Sequence, residues 1–145
     1  MTTSRKTSTG NETFSPEELE AMQEAKRERK KGGKANGEAD LLAKIAEMDG
    51  SDRDMAERIH AIVKEVAPQL APKTWYGMPA WADGAGKAVC FFTPANKFKE
   101  RYASFGFNAN AQLDDGNMWP TSFALLRIGD AEEKRIAELV KQAAG

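Results

Sequence analysis

Eleven of the twelve aromatic side chains fall between residues 75 and 123, and the twelfth is Phe14. A chain of 145 residues that concentrates its rings this way must build its core from its second half. The apolar runs there are short and punctuated by Gly, Pro, Asn and Asp, which is the pattern of strands and turns. Residues 74–82 read as one strand interrupted by Gly77 and Pro79, fit for an edge or a bulge. A hairpin loop follows at 83–86. The continuous apolar run 88–92 is the best candidate for a central strand covered on both faces. Residues 97–107 alternate, 114–117 form a second strong turn, and 121–128 read as the last strand.

Helices should flank this sheet. Leu41, Leu42, Ile45 and Met48 share one side of a helix over 38–48, stopped by Asp49-Gly50. Ser51 is placed to cap the next helix, whose inward face carries Met55, Ile59, Ile62, Val63 and Val66. Asp130 and Glu133 form a capping pair for a closing helix with Ile136, Leu139, Val140 and Ala143 inward. Helices, an antiparallel meander of about four to five strands and a final helix make an α+β fold.

Residues 37–145 are therefore expected to form a single domain, and 1–36 a flexible leader. Within the leader, Ser15-Pro16-Glu17-Glu18 reads as a helix start. Ser15 and Glu18 fit a capping box, Pro16 the first helical position, and Phe14 and Leu19 a hydrophobic staple. Acids then precede bases up to residue 31, as the helix dipole favours. The apolar stripe of Leu19, Met22 and Ala25 is thin, so this helix should dock weakly and fray. The basic stretch 26–34 reads as a solvated face rather than a phosphate contact.

Composition removes several function classes. The net charge is −1, so no global field draws the chain to nucleic acid or a membrane surface. No apolar run approaches the ~20 residues of a membrane span. A single cysteine excludes an intrachain disulfide and fits the cytoplasm. With one histidine besides, the zinc sites built from several Cys or His ligands are excluded. Cys90 lies in the most apolar run, and His60 falls off the apolar face of its helix, where it should be exposed. A Cys90–His60 dyad is disfavoured accordingly. Gly84-Ala85-Gly86-Lys87 lacks the spacing of a phosphate loop. Asp49, Asp52, Asp54 and Glu57 surround a helix start, where acids serve the dipole before they serve a cation.

The rings themselves are the strongest functional signal. Trp75, Tyr76, Met78 and Trp81 share one segment, Trp119 follows the second turn, and Asp114 and Asp115 stand near it. Rings like these fill a core or line a concave site; glycines, prolines and carboxylates interleaved among them favour the site. Lys73 and Arg101 are possible cationic partners, or solvated surface charges. The expected function is a non-enzymatic, monomeric binding domain that grips a small molecule or a protein segment with those seven residues.

The strings Lys73-Thr74-Trp75-Tyr76-Gly77-Met78-Pro79, Cys90-Phe91-Phe92, Lys97-Phe98-Lys99, Tyr102-Ala103 and Asp114-Asp115-Gly116-Asn117-Met118-Trp119-Pro120-Thr121 resemble the YdhG-like family, a bacterial group of domains of unknown function. The resemblance spans 37–145. It implies a twisted antiparallel sheet with helices packed against it, comparable to frataxin. It also implies a second function, an intracellular iron chaperone for iron–sulfur cluster or haem assembly, binding iron weakly through oxygen ligands. It carries no iron-ligand motif onto any residue of this chain, and it assigns the leader no role.

Overall fold

The computed structural model describes residues 15–31 and 37–145. Four helices and five strands follow in the order α1 (Pro16–Lys31), α2 (Gly37–Ala46), α3 (Gly50–Val66), β1 (Ala71–Trp75), β2 (Met78–Ala82), β3 (Ala88–Thr93), β4 (Ala103–Phe107), β5 (Ser122–Leu125) and α4 (Asp130–Ala144). The strands form one antiparallel sheet in the order β1-β2-β3-β4-β5, so each pairs with its successor and β3 lies in the middle. This is the α+β meander expected from the sequence. No helix among the described residues is long and apolar enough to cross a membrane.

The register sorts the side chains onto two faces. One face carries Trp81, Cys90 and Phe107 in one row, and Phe92, Phe105 and Phe123 in the next. These side chains join Leu41 and Ile45 of α2, Met55, Ile59 and Val63 of α3, and Ile136 and Val140 of α4 in one buried cluster. Burying each large side chain contributes ~1.5–3 kcal/mol, which is why the helices close over this face. Arg58 reaches Glu133 at 2.7 Å and ties α3 to α4. The opposite face carries Trp75, Met78, Phe91, Thr93, Ser104 and Gly106, and it is only half covered. Gly106 is required there: a Cβ would stand 2.6 Å from Cζ of Phe91, whose ring lies over it.

Several local expectations need correction. The stretch 74–82 is not one interrupted strand but a hairpin, β1 and β2, with Tyr76-Gly77 as its two-residue turn. The alternating stretch 97–107 is a strand only from Ala103; its first part is a loop. Ser51 does not cap α3, which begins at Gly50 with Asp49 at the cap position. At α4 the carboxylate of Glu132, not Glu133, accepts the cap N–H of Gly129 at 2.8 Å. The box at α1 is present in full: Glu18 N–H donates to Ser15 Oγ at 3.1 Å, and Ser15 N–H to Glu18 Oε1 at 2.9 Å. The Phe14 staple, the segments 1–11 and 32–36, and the side chains of 26–34 lie outside the described residues.

Candidate functional site

The half-covered face ends in a groove of about 560 Å³, within the usual size range of small-molecule pockets. Its floor is a row across three strands. Thr93 pairs with Ser104, and Thr93 Oγ1 donates to Met78 Sδ at 3.2 Å. Tyr76 stands at one side, Phe98, Glu100 and Tyr102 at another, and Glu18, Ala21 and Met22 of α1 close a third.

Each wall has an identifiable cause. Tyr76 and Gly77 have φ of 53° and 75°, the positive values that a tight two-residue hairpin turn requires at both central positions. Asn-Gly is the ordinary solution; here a bulky ring takes the first position. The ring of Trp75 backs it edge-on, with centroids 4.9 Å apart and planes at 85°, and packs on Phe91 at 4.9 Å.

The second wall is shaped from the other side of the sheet. Buried Asp52 of α3 accepts the backbone N–H groups of Ala95 at 3.1 Å and Asn96 at 2.9 Å, and Asp49 accepts Asn96 Nδ2 at 2.7 Å. Glu100 N–H returns to Ala95 O at 2.9 Å and closes the loop, with Lys99 at φ 57°. Asp49 and Asp52 at the start of α3 therefore hold this loop. Lys99 also pairs with Glu17 of α1 at 3.0 Å, and its ammonium holds the Glu17 carboxyl below the usual carboxylate range. That pair and buried Ala21 seat the third wall.

Of the seven residues expected to form one site, Tyr76 and Met78 line this groove and Trp75 supports it. Trp81 does not join them. Positions six apart share a face in a continuous strand, but the turn sets Trp75 opposite Met78, and three residues later Trp81 points to the other face. It is fully buried in the core. Asp114 and Trp119 line a different hollow, also about 560 Å³, at the far end of β4, with Phe107, Leu113 and Met118; Asp115 is exposed in the same turn. The indoles therefore do not meet in one cavity. Phe98, Glu100 and Tyr102 were missed because they sit in a stretch that alternates like a strand. Two strand-like segments joined by Tyr-Gly were the signal available for the hairpin.

His60 is the other correction. It is buried, not exposed: Trp81 Nε1 donates to its Nδ1 at 3.2 Å, and Nε2 faces Glu38 Oε2 at 2.8 Å. Both ring nitrogens are engaged, so it is no base for Cys90, and burial pushes the Cys90 thiol well above its ordinary pKa. Among the described residues no three His, Cys, Asp or Glu side chains come together to hold a metal ion.

No family model matches the chain, and no curated protein or solved structure matches it either.

Proposed function

We propose that this chain is a non-enzymatic binding domain that receives a small molecule, or a short peptide side chain, in the groove between Tyr76, Met78, Phe98 and Tyr102. One observation carries this reading. Among the described residues only Tyr76 and Lys99 combine a side chain with a left-handed backbone, and both belong to the loops that wall the groove. A non-glycine residue in that conformation costs ~1–2 kcal/mol, and such strain persists where a particular side-chain placement is worth more than stability. Tyr76 and Tyr102 are also among the few large apolar side chains left exposed, at 39% and 38%. The hollow at Trp119 also has an exposed apolar side chain, Met118, but no non-glycine residue with a left-handed backbone among the residues that line it.

The same reading takes the protein as a cytosolic monomer of the YdhG-like type, supported by its one buried, unpaired cysteine and the motif strings given above. The iron-chaperone alternative finds no supporting ligand set among the described residues. The test is an amide-resolved NMR titration with small aromatic and alkylamine solutes. Saturable shifts confined to Tyr76, Met78, Phe98, Glu100, Tyr102 and Ser104 are expected. Shifts gathered instead around Trp119, or none with any solute, reject the groove.

A further inference from the structure

We infer that the groove selects organic cations, with a methylated ammonium head as the group it recognises. This rests on the groove being the binding site and adds the chemistry of its ligand. Its lining includes three aromatic rings, Tyr76, Phe98 and Tyr102, and two carboxylates, Glu18 and Glu100, with no lysine or arginine among the described residues that line it. Glu18 is engaged through its cap, whereas Glu100 makes no side-chain hydrogen bond or ion pair among the described residues. The two carboxylates disfavour an anion in such a lining. A neutral apolar guest would leave the carboxylates without a counter-charge.

The rings suit a bulky cation better than a small hydrated one. An ammonium dressed in methyl groups sheds its water readily and is drawn to the negative face of an aromatic ring. Phe98 and Tyr102 already do this for the chain itself. Lys97 Nζ lies 5.8 Å from the centre of Phe98, and Arg101 Cζ 5.1 Å from the centre of Tyr102. A ring has two faces, and a guest needs only one of them. The third cation of the loop, Lys99, is paired with Glu17. The sulfur of Met78 on the floor adds a polarisable, uncharged contact for methyl groups.

Choline and its uncharged isostere 3,3-dimethylbutan-1-ol separate charge from shape, and a short peptide carrying trimethyllysine presents the same head on a chain. In NMR titrations of the full chain, choline or the peptide is expected to shift the amides of Tyr76, Phe98, Glu100 and Tyr102. The isostere should bind about tenfold more weakly. The tighter of the two cations identifies the source of the head group. Glu100→Gln and Tyr102→Leu, both at exposed positions, should each weaken the cation more than the isostere. Equal binding of cation and isostere overturns the cation preference but leaves the groove as a binding site. Absence of shifts from both cations overturns the inference as well, and the groove itself then stands or falls on the aromatic solutes.

Discussion

The indole N–H of Trp81 donates to Nδ1 of His60 across 3.2 Å, inside the core. Because an indole can only donate, Nδ1 must be the acceptor, and the ring hydrogen sits on Nε2, facing Glu38. A polar pair this deep joins sheet to helix through one directional contact. Replacing His60 by Leu leaves the Trp81 N–H orphaned in a dry interior, which should cost about 1–3 kcal/mol in urea unfolding. Trp81→Phe introduced into that background should cost less than in the parent chain. Full stability of His60→Leu would show that the bond contributes nothing.

Tyr76→Asn should raise stability and lower affinity together. Asparagine tolerates the left-handed backbone at φ 53° better than tyrosine does, so a gain of roughly 1 kcal/mol is expected by thermal or chemical unfolding. The same variant loses a ring from the groove, so solutes that shift the parent's amides should bind less tightly. A variant that is destabilised, or that binds as well as the parent, contradicts the assignment of strain to recognition.

The acid limb of stability should depend on Asp83. Asn110 Nδ2 donates to its carboxylate at 3.0 Å, as do the N–H groups of Lys87 at 3.0 Å and Ala85 at 2.9 Å. These bonds, the Asn110 one foremost, hold the carboxyl below its ordinary range. A carboxyl with a lowered folded-state pKa stabilises the fold above its unfolded value of about 3.9, and that contribution disappears as pH falls through the folded value. Asp83→Asn should therefore lose less stability than the parent between neutral pH and about pH 3. Identical pH profiles would exclude this role.

Gly106→Ala probes the support of the groove from behind. The added methyl must displace the Phe91 ring 2.6 Å away, and Phe91 carries Trp75, which in turn backs Tyr76. A loss of about 1–3 kcal/mol is expected, the usual cost of overpacking. It should come with a shifted indole N–H resonance for Trp75 and an unmoved one for Trp119. A silent Trp75 resonance would mean that the ring stack does not transmit the change.

Where neighbours along the chain decide the structure, the sequence was a sufficient guide. The Ser15–Glu18 box, the amphipathic face of α3 and the apolar run of β3 are all local patterns, and each formed as expected. Apart from the helix caps expected at Ser51 and Glu133, which missed by a residue or two, the failures share a different origin. The turn at Tyr76 defies propensity, since a bulky ring at positive φ is a poor local choice. The loop after Thr93 looks like a strand because its shape is dictated by Asp52, more than forty positions away on a helix. His60 looks solvent-exposed on its own helix, and Trp81 on β2 and Glu38 on α2 bury it. For the site, Tyr76 and Met78 could be named in advance. The separation of Trp75 from Trp81 followed only once the turn was located.

Among the described residues α1 supplies no side chain to the large interior cluster; its Ala21 and Met22 line the groove. The scaffold and one lip of the groove are thus written in different stretches of chain. Substitutions at Glu18 and Met22 are expected to change the proposed groove more than the melting point.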